Sequence, residues 1–350
     1  MRSLVVFSHR RSQLNLFNLL VLGLSLFSVA IPGQSQTTDP VHVTPASPPG
    51  AAVAMPPVAA SGEDLPLHAH AKPLRVDVDL VQVPVTVLDE MNRPVMGLQK
   101  EDFSVFEDEN AQQIRSFATE DAPISIGLLL DFSKSMSNKF HNEREAVQEF
   151  FQNANANDDY FAISFSNRPQ LLADATQSIG EIQAKLTTVT PNGYTALFDA
   201  IYLGVSKMRT ARYKRRALLV ITDGCDTTSR YTAKETKRMA READVEIYAI
   251  ALNNPIPLVK TLEEKLGQRD LSQITEATGG RTIMIDNAAQ IPAAAAAISW
   301  ELRNEYVLGY RPSNVTRDGK WRKVKVRVST SRHNTPLQAY YRRGYSAPAE

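Results

Sequence analysis

Short apolar runs alternate regularly with amphipathic segments through the middle of the chain. The apolar runs, which predict strands, are residues 124–130, "YFAISFS", "RRALLVITDG", "VEIYAIAL" and "RTIMI". The segments between and after them that predict helices are "NEREAVQEFFQNA", "TAKETKRMAREA", "DLSQITEATGG" and "IPAAAAAISWELRN". This alternation is typical of a mostly parallel sheet with helices on both faces. We therefore predict a doubly wound α/β domain over residues 121–304.

Patterns of β type precede and follow that region. Before it come "LRVDVDLVQVPVTVLDE" and "DFSVFEDENAQQIRSF", the second predicting a hairpin that turns at Glu109 and Asn110. After it come "EYVLGYRP", "KWRKVKVRVST" and "LQAYYRRGY". Alternating apolar and polar residues predict half-buried strands. We predict that residues 74–120 and 305–346 join into one small β-sandwich-like domain, and that the α/β domain is inserted into it.

The N-terminal region predicts export. Three arginines, Arg2, Arg10 and Arg11, precede an apolar run and small residues, the pattern of a signal peptide over residues 1–36. The run is also close to the length that spans a bilayer, so an uncleaved anchor is the alternative. Residues 37–73 are rich in Pro and Ala and predict a disordered linker. We expect a periplasmic, cell-surface or secreted protein, with membrane contact only if the first segment stays uncleaved.

Charge and cysteine content exclude several classes of function. Lys+Arg total 39 and Asp+Glu total 38, so the overall charge predicts no nucleic-acid partner. The single cysteine, Cys225, excludes an internal disulfide and any metal site made of several cysteines. The basic strand "KWRKVKVRV" has two interpretations, a solvated face of a sheet or a surface for polyanions.

Oxygen-bearing side chains follow the predicted strands of the α/β domain. Asp131, Ser133 and Ser135 come directly after the first strand, Asp223 follows "LLVIT", and Thr195 begins a helix. Ligands of open α/β sheets bind at the carboxyl ends of the strands, so these side chains are expected to meet at one edge. Two carboxylates and three hydroxyls are hard oxygen donors, which suit a cation such as Mg²⁺.

This arrangement resembles the metal-ion-dependent adhesion site of the von Willebrand factor type A domain. The family pattern is Asp-x-Ser-x-Ser after the first strand, a later Thr and an Asp after the fourth strand, and the resemblance covers about residues 123–304. The flanking β segments are similar to those of exported acidobacterial proteins that carry such domains. The resemblance implies that the hydroxyls contact the metal and that each Asp acts directly or through water. It also implies Mg²⁺, or else Mn²⁺ or Ca²⁺, and a protein partner whose Asp or Glu carboxylate completes the coordination.

Two further carboxylates, Asp199 and Asp226, are expected to position these ligands without contacting the metal themselves. Asp199 is one helical turn after the start of the helix that Thr195 begins, and Asp226 lies close after Asp223. The alternative for Asp199 is an ordinary position on the helix surface.

Three alternatives to a metal-dependent binding site stay open. Each Ser, Thr or Asp can instead cap a helix or form a turn. A phosphatase or other hydrolase using Asp131 is a second alternative. Phosphatases of the haloacid dehalogenase type, however, require a second Asp at the position where this chain has Ser133. The chain also lacks the Gly-x-Ser-x-Gly, P-loop and His-Glu-x-x-His motifs, so we predict no enzymatic activity. In the third alternative, the metal only stabilises the fold.

Overall fold

The computed structural model describes residues 80–119, 121–223, 226–253, 262–330 and 336–349. Its strands are β1 (Val81–Leu88), β2 (Phe103–Glu107), β3 (Asn110–Gln112), β4 (Ile114–Thr119), β5 (Ser125–Asp131), β6 (Asp159–Phe165), β7 (Pro169–Thr176), β8 (Arg216–Thr222), β9 (Glu246–Leu252), β10 (Thr282–Ile285), β11 (Tyr306–Tyr310), β12 (Trp321–Val328), β13 (Gln338–Tyr341) and β14 (Gly344–Ser346). Its α-helices are α1 (Phe140–Phe151), α2 (Ile179–Leu186), α3 (Leu197–Met208), α4 (Ala233–Glu242), α5 (Leu262–Thr278) and α6 (Ile291–Arg303).

The middle of the chain forms a six-stranded sheet with the order β10-β9-β8-β5-β6-β7. Its strand pairs are parallel except for β6 and β7, which are antiparallel. Every residue of β5 and β6 is buried. Strands covered on both faces are apolar along most of their length, which is why the sequence shows nearly continuous apolar runs there. The predicted α/β fold class is confirmed.

Helices cover both faces of this sheet and produce two separate cores. On one face, Val147 of α1 and Ile298 of α6 pack with Leu128 and Leu130 of β5. On the other face, side chains of α3, α4 and α5 pack against the opposite sides of the same strands, around Leu129. Strand β5 lies inside the sheet and contributes side chains to both cores. Packing from both faces therefore fixes its carboxyl end, which carries Asp131.

Two antiparallel sheets of four strands each are built from the flanking segments. Their orders are β13-β1-β11-β4 and β14-β12-β2-β3. Early and late strands are direct neighbours: Val83 of β1 is opposite Leu308 of β11, and Val105 of β2 is opposite Val326 of β12. All four valine and leucine side chains belong to one buried cluster shared by the two sheets. The β strands that precede and follow the α/β region therefore form a sandwich, as the predicted fold class stated.

Two local predictions differ from the structure. The hairpin between β2 and β3 turns at Asp108 and Glu109, one residue earlier than predicted, and both residues have positive φ (43° and 72°). Asp adopts such values fairly often, but Glu rarely does, so the sequence favours a turn at the following Asn110. The segment "LQAYYRRGY" forms two strands in different sheets, β13 and β14, rather than continuous β structure.

The domain limits at residues 36, 73, 120, 304 and 346 stay predictions. The predicted signal peptide and linker lie outside the described residues, as does Cys225. None of the helices within the described ranges combines the length and hydrophobicity needed to cross a bilayer.

Candidate metal centre

Asp131 ends β5 at the carboxyl edge of the six-stranded sheet, and its side chain is completely buried. Its Oδ1 accepts a hydrogen bond from the Ser133 backbone N–H at 2.9 Å. Its Oδ2 accepts one from the Thr222 hydroxyl at 2.7 Å. Burial raises the pKa of Asp131 to about 6, and the nearby Asp223 carboxylate contributes to the increase. The Asp131 carboxylate is thus shielded from solvent and lies near the charge of a second carboxylate.

The two serines lie on a short 3-10 turn that immediately follows β5. Their hydroxyl oxygens are 3.0 Å apart. Ser133 is buried, whereas Ser135 is exposed. The turn is held to the neighbouring strand because the Phe132 N–H donates to the Phe165 carbonyl at 2.7 Å. The structure therefore brings Ser133 and Ser135 together beside Asp131, with the first residue buried and the second exposed.

The loop that carries Thr195 is fastened to this turn by two backbone hydrogen bonds. The Asn192 N–H donates to the Phe132 carbonyl at 2.8 Å, and the Lys134 N–H donates to the Gly193 carbonyl at 3.1 Å. Thr195 itself is buried. It precedes α3 by two residues, slightly outside the helix that the sequence predicted it to begin.

Gly193 fixes the shape of that loop. Its φ is +85°, and a Cβ at this position would meet the side chain of Asn167 at 2.6 Å. The Asn167 Oδ1 accepts a hydrogen bond from the Tyr194 N–H at 2.8 Å. Only glycine combines this backbone conformation with so close a neighbour, so the placement of Thr195 depends on it.

Asp223 follows β8, the strand next to β5, and its side chain is 16% exposed. Its Oδ2 is 3.4 Å from the Lys139 ammonium. Its negative charge contributes to the raised pKa of Asp131, as expected when carboxylates lie on adjacent strand ends. The partly buried Lys139 thus partly offsets the charge of Asp223.

Asp199 and Asp226 fasten the loop after β8 to the beginning of α3. Asp199 Oδ1 accepts a hydrogen bond from the Arg230 backbone N–H at 2.9 Å. Asp226 Oδ1 accepts from the Phe198 N–H at 3.2 Å and from the Ser229 hydroxyl. Burial raises the pKa of Asp226. These contacts tie together the two segments that carry Thr195 and Asp223, and Asp199 is buried rather than on the helix surface.

Glu143 of α1 is a residue of this site that the sequence reasoning missed. It is 1% exposed, and its Oε1 accepts a hydrogen bond from the Asp131 backbone N–H at 3.0 Å. Its Oε2 has no hydrogen-bond partner among the described residues. Burial, followed by the charge of Asp131, raises the pKa of Glu143 well above its usual value. The signal was present, because Glu143 shares a helix face with the buried Val147 and Phe150.

The donor set fits a hard divalent cation. In the described part of the chain, no group of three or more His, Cys, Asp or Glu side chains is arranged to hold a metal ion. The predicted set differs from such groups because it has two carboxylates and relies on hydroxyls for its other oxygens. A cation would stabilise the charged form of Asp131, whose pKa is raised first by burial and then by the charge of Asp223. Oxygen donors favour Mg²⁺ or Ca²⁺ over softer metals.

Comparison with known proteins identifies the domain that contains this site. Residues 126–225 match the sequence profile of the von Willebrand factor type A domain. That stretch includes all five predicted ligands. No curated protein matches the chain.

Several solved structures resemble the chain at low sequence identity. The conserved hypothetical protein BatB from Bacteroides thetaiotaomicron is 20% identical with a TM-score of 0.41, covering 51% of this chain and 97% of that one. A von Willebrand factor type A protein from Catenulispora acidiphila is 11% identical with a TM-score of 0.45, covering 73% and 76%. The PilB minor pilin from Streptococcus sanguinis is 12% identical with a TM-score of 0.41, covering 55% and 63%.

Proposed function

We propose that the von Willebrand factor type A domain of this chain is a non-enzymatic protein-interaction module that binds its partner through a divalent metal. The metal ligands in this proposal are Asp131, Ser133, Ser135, Thr195 and Asp223. The observation that carries it is the 3.0 Å contact between the Ser133 and Ser135 hydroxyls, directly beside the buried Asp131 carboxylate. Mg²⁺ is the first candidate, followed by Mn²⁺ and Ca²⁺.

The ligand types explain why such a site would bind a carboxylate. Hydroxyl ligands are neutral, so only two aspartates offset the charge of the cation, and Lys139 already contacts one of them. A cation with few anionic ligands attracts a further carboxylate from outside. The exposed Ser135 marks the side from which a partner's Asp or Glu would approach.

The environment of Asp131 favours binding over hydrolysis. A nucleophilic aspartate must place an oxygen against its substrate. Both oxygens of Asp131 accept hydrogen bonds from within the protein, and the side chain is completely buried. These contacts leave neither Asp131 oxygen exposed to a substrate, so they do not favour a hydrolase or phosphatase.

Calorimetry on the metal-stripped full chain tests the metal site. We expect saturable binding of Mg²⁺ that disappears in Asp131→Ala and in Asp223→Ala. Asp174→Ala is the matched control. It removes an exposed carboxylate from the edge strand β7, where Asp174 pairs with Lys207 of α3. Unchanged binding in the two site variants, or equal loss in the control, would contradict the proposal.

A second titration separates interaction from structural stabilisation. A short peptide with one Glu is compared with the same peptide carrying Gln, each with Mg²⁺ and with a chelator. We expect a preference for Glu only when Mg²⁺ is present. Metal binding without this preference would favour the alternative in which the metal only stabilises the fold.

Export is part of the same proposal. Residues 1–36 are proposed to be removed during secretion, which leaves the protein periplasmic, on the cell surface or secreted. N-terminal sequencing of protein recovered from the producing cells tests this. An intact Met1 would favour the uncleaved anchor.

A further inference from the structure

A second surface of the molecule concentrates positive charge far more than the whole chain does. A cleft of about 850 Å³ lies between helices α4 and α5 and the sheet formed by β2 and β12, a volume in the range of protein ligand sites. We call it the basic cleft. Its cationic side chains are Lys237, Arg241, Lys323, Lys325, Arg327 and Arg343. Its carboxylates are Asp108, Glu109 and Glu276.

The cations of the basic cleft have no carboxylate partners within the described ranges, since none of the six forms an ion pair there. The chain elsewhere pairs its charges readily: Arg281 binds Glu301, and Arg215 binds Glu305. Unpaired cations gathered in a concave site repel one another, and an anionic ligand removes that repulsion.

Several of these cations are held in place by aromatic rings. The Arg241 guanidinium lies 3.9 Å from the centre of the Trp321 ring. Arg327 lies 4.9 Å from the ring of Phe106, and Arg343 lies 4.7 Å from that of Tyr341. A stacked guanidinium loses little freedom when it binds a carboxylate, which makes the site pre-organised for anions.

The spacing of the cations matches an extended chain. Lys323, Lys325 and Arg327 are the exposed residues of β12 at alternate positions, about 6.8 Å apart along the strand. On the opposite wall, Lys237 and Arg241 are four residues apart on α4, about 6 Å from each other. An extended polypeptide repeats its side chains at the same interval of about 6.8 Å on one face.

We infer that the basic cleft binds an extended polypeptide segment that carries Asp or Glu at every second position. Single-stranded nucleic acid is disfavoured because it needs free aromatic faces for base stacking, and the three rings of the basic cleft are already occupied by guanidinium groups. The carboxylates on the rim also fit a polypeptide with occasional basic residues better than a uniform polyanion. This surface is separate from the proposed metal centre and uses none of its residues.

Fluorescence anisotropy with the full chain tests the inference. The probe is a labelled peptide of alternating Glu and Thr, and a peptide of equal composition with all Glu residues in one block is the comparison. We expect tighter binding of the alternating peptide, weakening in about 0.5 M salt as screening predicts. Binding should be unchanged by a chelator and by Asp131→Ala, which separates this site from the metal centre. No binding, or equal binding of both peptides, would overturn the inference.

Matched variants locate the binding. The variant Lys323→Gln/Lys325→Gln/Arg327→Gln removes three exposed cations from the basic cleft. The control Lys100→Gln/Arg168→Gln/Arg209→Gln removes three exposed cations elsewhere and gives the same net charge. We expect about a 10- to 100-fold loss of affinity in the first variant, from the sum of three exposed charge contacts, and less than about threefold in the control. Equal losses would overturn the inference, as would tighter binding of oligothymidine or inorganic polyphosphate than of the peptide.

Discussion

At the scale of single residues, the hydrogen bond between Glu143 and the backbone of Asp131 determines how firmly the candidate metal centre is held. We expect Glu143→Gln, which keeps an acceptor, to change the free energy of unfolding by less than about 1 kcal/mol. Glu143→Met has a similar volume but leaves the buried Asp131 N–H without its acceptor, at a cost of about 1–3 kcal/mol more. Urea denaturation of both variants measures the difference. Equal stability of the two would show that this hydrogen bond contributes nothing.

Gly193 is the second residue on which the site depends. Gly193→Ala places a Cβ at positive φ and against Asn167, so we expect a loss of about 1–3 kcal/mol in unfolding free energy and weaker Mg²⁺ binding. The control is Gly180→Ala, in helix α2, where the nearest atom to the new Cβ is 4.0 Å away. That substitution should raise stability by about 0.5–1 kcal/mol. Thermal unfolding and calorimetry of the pair check both effects, and similar behaviour of the two variants would contradict the assigned role.

The sequence alone predicted Asp131 and Asp223 but not Glu143, because the first two positions follow from local pattern and the third from packing. Asp131 and Asp223 directly follow continuous apolar runs, and that position places them at the carboxyl edge whatever the details of packing. Glu143 is polar in an amphipathic helix, where an acidic residue normally faces water. Its spacing from Val147 and Phe150 indicates the buried face of α1, but whether a carboxylate is accepted there depends on how α1 packs against β5, which is tertiary information.

At the scale of elements, a buried ion pair attaches helix α6 to the residue that immediately precedes β10. Arg281 donates from two nitrogens to the Glu301 carboxylate, at 2.6 Å and 3.1 Å. Burial raises the pKa of Glu301 even though the arginine opposes it. We expect Arg281→Met alone to cost about 3–5 kcal/mol, because it leaves a buried carboxylate without its partner. Arg281→Met/Glu301→Leu should recover most of that loss.

A double-mutant cycle by chemical denaturation, with Glu301→Leu as the fourth corner, measures this coupling. Additive losses would mean that the two side chains act independently. In that case the Arg281–Glu301 pair itself adds nothing to the attachment of α6.

Elements were predicted best where one local rule decided the outcome. The segment "TAKETKRMAREA" forms α4 as predicted, and Thr232 and Glu235 form a capping box at its start. The β2–β3 hairpin was predicted, but its turn lies one residue earlier than predicted, because Glu109 adopts a positive φ that glutamate rarely takes. There the pairing of the strands overrides the preference of the turn.

At the scale of the whole molecule, a polar cluster joins the two sheets of the sandwich. Glu107 of β2 accepts hydrogen bonds from the Tyr310 and Tyr345 hydroxyls, each at 2.8 Å. Burial, followed by the contact with Glu107, raises the pKa of both tyrosines above the usual value. An unfolded tyrosine ionises near pH 10, whereas these two stay neutral in the folded state. Ionisation of these tyrosines therefore stabilises the unfolded state above about pH 10, and the free energy of unfolding falls as the pH rises.

We expect Tyr345→Phe to lower the unfolding free energy by about 1 kcal/mol at pH 7, through loss of one hydrogen bond. Between about pH 9 and pH 11, the free energy of unfolding should fall less in this variant than in the parent. The reason is that the variant lacks the Tyr345 hydroxyl, whose pKa is raised in the folded state. Urea denaturation across that range makes the comparison. Parallel curves for parent and variant would contradict the assignment.

The sequence also predicted the plan of the molecule, with an α/β region between two β segments, but not which strands become neighbours. Val83 lies opposite Leu308 and Val105 opposite Val326 because the two sheets share one apolar core. Alternating hydrophobicity indicates which face of a strand is buried. It carries no information on which distant strand lies beside it.

The pairing of early with late strands also determines when each part forms during synthesis. Tyr345 and its partner Glu107 are separated by 238 residues, and both neighbours of β1 come from the last part of the chain. As the ribosome releases the chain, β1 stays without a neighbour until β11 emerges, while the inserted sheet already has all its strands. Long-range pairing of this kind is slow, and a waiting strand invites wrong partners. A nascent chain that stops before residue 306 therefore exposes a β1 edge prone to aggregation.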